Sequence, residues 1–103
     1  MSYGEALAAL PAGHPDIATT LVSIGAVQQA KGLYDEALAS HGEALALRRA
    51  ALPAGHPSIA ATLNNVGLVQ ADKGLYDEAL ALYGEALALR RACLLYTSDA
   101  ADE

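Results

Sequence analysis

The chain repeats itself with a period of 42 residues. Residues 10–51 align with residues 52–93 without a gap, and 31 of the 42 aligned positions are identical. The segment Leu-Pro-Ala-Gly-His-Pro opens both copies, and Gly-Leu-Tyr-Asp-Glu-Ala-Leu recurs unchanged in the middle of each. A repeat of this length is typical of arrays in which each unit buries its apolar face against its neighbours. We therefore expect two stacked units, at 11–52 and 53–92, rather than one irregular domain.

The composition favours helices throughout both units. Alanine and leucine together fill 41 of the 103 positions, and neither phenylalanine nor tryptophan occurs. Alanine and leucine are strong helix formers, whereas the β-branched and aromatic residues that favour strands are scarce. The sequence therefore predicts an all-α protein whose helices pack closely through small side chains.

Each unit divides into two predicted helices. The first runs from about 15 to 30, and again from 57 to 72; it begins at a proline that suits the first helical turn and ends at Lys-Gly. The second covers about 35–49 and 77–91. It starts at Asp-Glu and ends near Arg-Arg, so acids and bases lie at the favourable ends of the helix dipole. The Pro and Gly residues that follow break the chain before the next unit.

The differences between the two copies cluster on one face of the first helix. Six of the 11 mismatched positions are spaced i, i+3, i+4, i+7, i+10 and i+11, which places them on a single stripe. This variable stripe comprises Thr19, Val22, Ser23, Ala26, Gln29 and Ala30 in the first copy, and Ala61, Asn64, Asn65, Leu68, Ala71 and Asp72 in the second. The pattern favours a recognition surface on a constant scaffold. Neutral drift of a solvent-facing surface is the alternative.

The residues held in both units resemble the tetratricopeptide repeat. The resemblance rests on small residues in both helices and on Gly-x-Tyr at the turn between them. The matching positions are Leu21, Ile24, Gly25, Gly32, Tyr34, Ala37, His41 and Ala44, and in the second unit Leu63, Val66, Gly67, Gly74, Tyr76, Ala79, Tyr83 and Ala86. The resemblance implies a right-handed superhelix, an α-solenoid of stacked antiparallel helix pairs. It also implies that the small residues mark where paired helices touch.

The period of 42 exceeds the 34 residues usual for that family. The longer unit, with Gly-His-Pro-x-Ile-Ala before the helix and Leu-Asn-Asn within it, looks like the subgroup of kinesin light chain and nephrocystin. There are departures: leucine stands where the family's first helix has a large aromatic, Gln28 and Gln70 replace a later aromatic, and His41 replaces the aromatic kept as Tyr83. HEAT and armadillo repeats have similar periods but lack this set of small residues.

The two ends depart from the repeat. Residues 1–10 copy part of a second helix, so we expect the chain to begin with a short helix belonging to a preceding unit, making about five helices in all. After Ala92 the repeat stops. Residues 93–103 resemble the translation of an adapter used in preparing sequencing libraries, and we interpret them as a non-native tail. A genuine tail is the alternative.

No residue pattern indicates catalysis, a metal or a cofactor. His14 and His56 each stand between Gly and Pro, and we interpret them as turn residues rather than zinc ligands, because a zinc site needs several ligands converging on one point. We expect His41 to be a packing residue. Cys93 has no neighbouring base, and the adjacent acids Asp35 and Glu36 do not share a helix face. The sequence therefore predicts a protein that is not an enzyme.

The charge argues against two classes of partner. The formal net charge is −6 and no basic cluster occurs, which makes nucleic acid and anionic membranes poor candidates. No apolar run reaches the roughly 18 residues of a membrane span, and no signal peptide is evident, so we expect a cytoplasmic protein. Two units without capping helices also predict self-association through the uncapped ends, since about three repeats are usually needed for stability.

The function that the resemblance implies is binding of a protein or peptide segment on the concave face formed by the first helices. We expect the groove to comprise Thr19, Val22, Ser23, Ala26, Gln29, Asn64, Asn65, Leu68 and Asp72. In the resembled family an asparagine at the place of Asn65 clamps the ligand backbone, and Ser23 is its shorter counterpart. The stripe contains no Lys or Arg, so a neutral, partly apolar ligand is expected. A structural spacer, or a regulatory segment of a larger protein, is the alternative.

Overall fold

The computed structural model describes residues 15–102 of the chain, with side chains over residues 16–94. Four helices follow one another in this part: α1 (Pro15–Ala30), α2 (Tyr34–Ala51), α3 (Pro57–Asp72) and α4 (Tyr76–Asp102). The described residues contain no strand, and none of their helices is long and apolar enough to cross a membrane. The predicted all-α fold is confirmed. The short helix expected over 1–10 lies outside the described residues.

The ends of the first helices follow from local sequence. α3 begins at Pro57, and the imidazole Nδ1 of His56 accepts a hydrogen bond from the Ser58 N–H at 3.0 Å, which caps the helix. A glycine with positive φ stands two residues after the end of each of these helices, Gly32 at 79° after α1 and Gly74 at 92° after α3. In this left-handed conformation, the N–H of Leu33 reaches back to the Gln28 carbonyl at 2.8 Å, closing a Schellman motif.

The helices stack in order. α1 packs on α2, α3 packs on α4, and α2 also packs on α3, so each helix lies against its neighbours in the chain. The larger core cluster centres on Ile59, Ala60, Leu63 and Ala86. Four partly buried leucines pack against it: Leu45, Leu52, Leu82 and Leu89. α3 is therefore held between α2 and α4, which makes the molecule a helical-repeat solenoid.

Small residues stand where the paired helices touch, as predicted. Ala37, Ala44, Ala79 and Ala86 are all buried. Ala44 packs with Ala18 and Leu21 of α1, and Ala86 packs with Ile59 and Leu63 of α3. Gly25 of α1 and Gly67 of α3 each lie against the ring of a side chain on the second helix, that of His41 and that of Tyr83. A Cβ added at Gly67 would lie 2.8 Å from Cε1 of the Tyr83 ring, so no other residue fits there without movement.

The end of the last helix differs from the prediction. α2 ends at Ala51, close to the expected Arg-Arg, but α4 continues to Asp102 instead of ending near 91. The physical reason is the absence of a breaker. Leu52 and Pro53 stop α2, because proline lacks the N–H that the helix needs, whereas residues 92–102 contain neither proline nor glycine.

Candidate functional site

The variable stripe lies on the surface of α1 and α3. None of its residues is buried, and Thr19, Ala26, Ala30, Leu68 and Asp72 are exposed. The positions held between the copies point the other way, since Ala18 and Leu21 on α1, like Ala60 and Leu63 on α3, are buried. The two copies therefore share their buried face and differ on the accessible one.

The stripes of α1 and α3 meet near the C-terminal ends of the two helices. The Gln29 side chain donates a hydrogen bond through Nε2 to Oδ2 of Asp72 at 2.8 Å. These are two of the residues expected to line the groove, and they lie 43 positions apart in the chain. The stacking therefore places the two halves of the stripe side by side as one surface.

Arg48 lies at the opposite end of this surface, between the N-terminal halves of α1 and α3. Its guanidinium donates through Nη1 to Oγ1 of Thr62 at 2.7 Å and through Nη2 to Oγ1 of Thr19 at 3.4 Å. The Thr62 hydroxyl in turn donates to the Ser58 carbonyl at 2.7 Å. Sequence analysis missed Arg48 as part of the site, because it placed the Arg-Arg pair only at the end of a helix dipole. The available signal was Thr62, a hydroxyl on the apolar face of α3.

The polar groups of the stripe differ in how far they are already engaged. The Ser23 hydroxyl donates to the Thr19 carbonyl one turn earlier in α1, at 3.2 Å. Asn64 and Asn65 are half-buried, and within the described part of the chain neither side chain makes a hydrogen bond. Leu68, one turn along α3, is 48% exposed. The second copy thus offers free amides beside an accessible apolar side chain, whereas the corresponding serine is occupied by its own helix.

Charged side chains near the variable stripe form ion pairs with residues outside the stripe. Lys73 forms an ion pair with Asp35, and Arg49 forms one with Glu85; all four side chains are well exposed, so each pair contributes at most about 1 kcal/mol. The stripe itself carries one formal charge, that of Asp72. It presents a weakly polar surface rather than a strongly charged one.

The family follows from comparison with known proteins. The protein-family model described as tetratricopeptide repeat matches residues 16–92 of the sequence, which is well over half of the chain. The chain belongs to the tetratricopeptide repeat family. Tetratricopeptide repeats generally mediate protein–protein interactions, and the repeat is a non-catalytic module. No curated protein matches the sequence.

In this tetratricopeptide repeat protein, the two described histidines, His41 and His56, have structural roles. His56 caps α3, a role that sequence analysis did not predict beyond placing it near the helix start, and His14 lies outside the described residues. His41 is 1% exposed and lies against Gly25, so its prediction as a packing residue is confirmed. Burial lowers the pKa of the His41 imidazole below its usual 6.5, and neither ring nitrogen has a hydrogen-bond partner among the described residues. Among the described residues, no group of three or more His, Cys, Asp or Glu is placed to hold a metal ion.

Proposed function

We propose that the chain binds a peptide or protein segment along the variable stripe, on the concave face formed by α1 and α3. The observation that carries the proposal is the pair of amides on Asn64 and Asn65, which make no hydrogen bond within residues 15–102 and lie beside the exposed Leu68. An extended ligand has a backbone N–H and C=O at each residue, and an asparagine amide can both donate to and accept from such groups.

The expected ligand is neutral and partly apolar. Of the two asparagines we favour Asn65 as the contact to the ligand backbone, because its counterpart Ser23 is shorter and bonds to its own helix. Leu68 and Ala26 supply apolar area at equivalent places on the two helices. The carboxylate of Asp72 disfavours an acidic ligand at its end of the stripe.

The wider role that we propose is that of a scaffold or adaptor segment, similar to the repeats of kinesin light chain and nephrocystin, acting in the cytoplasm and without catalysis. We keep the proposed division into units at 11–52 and 53–92, a partial helix at 1–10 and a non-native tail at 93–103. A structural spacer or regulatory segment of a larger protein is the second candidate. The short side chains of Ala26, Ala30, Ala61 and Ala71 on the stripe favour it.

A peptide array probed with the full chain tests the proposal. We expect enrichment of neutral, partly apolar sequences. The Asn65→Ala variant should bind them more weakly by about 0.5–1.5 kcal/mol, the value of one lost hydrogen bond. Ser23→Ala is the matched control and should bind as the parent does, because it removes a hydroxyl already bonded within α1. A preference for acidic peptides, or equal binding by parent and Asn65→Ala, would count against the groove.

A further inference from the structure

The two helices that carry the variable stripe have little direct packing on one another. Within residues 15–102, the extensively packed helix pairs are α1 with α2, α2 with α3, and α3 with α4. Polar side chains join α1 to α3 instead. Gln29 bonds Asp72 near the C-terminal ends, and Arg48 bonds both Thr19 and Thr62 towards the N-terminal ends.

We infer that Arg48 is the positioning residue of the stripe: its guanidinium joins Thr19 on α1 to Thr62 on α3 and so sets the distance between the two helices. The inference rests on the proposed function, because a ligand lying across both helices needs them at a fixed separation. Arg48 acts through the helices that it joins rather than by touching the ligand.

The chemistry of the link suits an arginine. The guanidinium is planar and presents several N–H donors in a fixed fork, so one side chain reaches two acceptors at a defined separation, which a lysine ammonium does less well. Thr62 is fully buried and its hydroxyl proton is directed to the Ser58 carbonyl, leaving its oxygen lone pairs for an incoming donor. No carboxylate among the described residues pairs with Arg48, so the two hydroxyls are its partners.

The chain contains its own controls, because each residue of the link has a counterpart 42 positions away. Arg90 corresponds to Arg48 but is exposed, and the described residues give it no such bonds. Thr20 corresponds to Thr62, and its hydroxyl makes no hydrogen bond within the described part of the chain. Both controls change the same chemical group without touching the link.

A distance measurement tests the inference without any ligand. Spin labels are attached to cysteines placed at Ala26 and Leu68, exposed and equivalent sites on α1 and α3, in the full chain with Cys93→Ser. Double electron–electron resonance spectroscopy then gives the distribution of distances between the two spin labels. We expect one narrow distribution in the parent. In Arg48→Met it should broaden or shift by about 1–2 Å or more, the usual size of a helix displacement at an interface. It should stay unchanged in Arg90→Met.

A second pair of variants guards against a simple folding defect. Thr62→Val keeps the shape of the side chain and removes the acceptor, so it should reproduce the broadening, whereas Thr20→Val should not. Arg48→Lys should fall between parent and Arg48→Met. Helicity by circular dichroism should be equal in all of them. An unchanged distribution in both Arg48→Met and Thr62→Val would overturn the inference, as would full restoration by lysine.

Ligand binding separates this inference from the proposed function. For any peptide selected on the array, Arg48→Met should weaken binding roughly three- to ten-fold, within the range seen for residues that couple to a site without touching the ligand. If the distance changes but no peptide binds, the proposed function fails and the positioning role stands. If peptides bind the parent and Arg48→Met equally, the positioning role is wrong and the function stands.

Discussion

The imidazole of His41 lies against the backbone of Gly25, so closely that a Cβ at residue 25 would stand 2.7 Å from ring atom Cε1. Tyr83 lies against Gly67 in the same way in the second copy. The ring on the second helix and the glycine on the first are therefore one packing unit, repeated with different rings. This packing explains why both copies have glycine at this position, Gly25 and Gly67, although the ring that lies against it is histidine in one copy and tyrosine in the other.

Gly25→Ala should destabilise the fold by about 1–3 kcal/mol, because the added methyl overpacks a buried ring that has little room to move. The matched control is Gly42→Ala. Gly42 also lies inside a helix, but apart from the backbone of that helix no atom of the described residues stands within 4 Å of an added Cβ there. Alanine should therefore stabilise by about 0.5–1 kcal/mol. Urea denaturation of both variants measures the change in the free energy of unfolding, which should be a loss for Gly25→Ala and a gain for Gly42→Ala. Equal effects in the same direction would contradict this packing.

The buried His41 should make stability depend on pH. Its pKa is lowered in the folded state by burial, so the unfolded chain binds protons that the folded chain does not. The stability is fully present above the unfolded pKa of about 6.5 and is lost as pH falls below it towards the folded pKa. We expect the free energy of unfolding to fall between pH 7.5 and 5.5.

His41→Tyr is the comparison for this titration, because tyrosine occupies the equivalent place as Tyr83 and does not titrate in this range. The difference in unfolding free energy between the variant and the parent should grow as pH falls. Effects of other groups common to both proteins cancel in that difference. A difference that stays constant from pH 7.5 to 5.5 would show that His41 gains its proton equally in both states.

Two equivalent glutamines should respond to the same substitution with opposite signs. Oε1 of Gln28 accepts a hydrogen bond from the Ser40 hydroxyl at 2.7 Å. Oε1 of Gln70 is buried and has no partner in the part of the chain that the structure describes, because Leu82 stands in the place of that serine. Gln70→Met removes an unsatisfied acceptor and should stabilise by about 1 kcal/mol. Gln28→Met should cost about 0.5–1.5 kcal/mol. Thermal denaturation of the two variants measures these changes as shifts in Tm. A lower Tm for Gln70→Met than for the parent would contradict the prediction.

The helices were predictable because their signals are local. A proline starts α3, and Lys-Gly ends α1 and α3 at the expected residues, since each signal acts within one turn of the helix. The packing of Ala44 and Gly25 between paired helices was expected from the family resemblance. The bond from Gln29 to Asp72 and the links of Arg48 were not predictable, because they depend on how far one helix is displaced against another. The extension of α4 had a local signal, the missing breaker, which the interpretation of the tail obscured.

One face of α4 should make the chain self-associate. Leu80 is 66% exposed and Leu87 is 49% exposed, although their counterparts in the first copy, Leu38 and Leu45, are half-buried. Leu45 owes its cover to α3, whose Ile59 cluster packs against it. The described residues place no equivalent helix over Leu87. Leu80 and Leu87 are seven residues apart and so lie on the same face of α4, where each presents apolar area to water.

We therefore expect the full chain to sediment as a mixture of monomer and larger species at micromolar concentration, and the double variant Leu80→Ser with Leu87→Ser to shift it towards monomer. Leu68→Ser is the matched control: Leu68 is exposed to nearly the same degree as Leu87 but lies on the stripe of α3. It should leave the sedimentation profile unchanged. A parent that is monomeric at these concentrations would refute association through α4, and an equal effect of Leu68→Ser would move the contact to the stripe. Since the change replaces exposed side chains, helicity should be unaffected, and circular dichroism checks that any shift reflects association rather than unfolding.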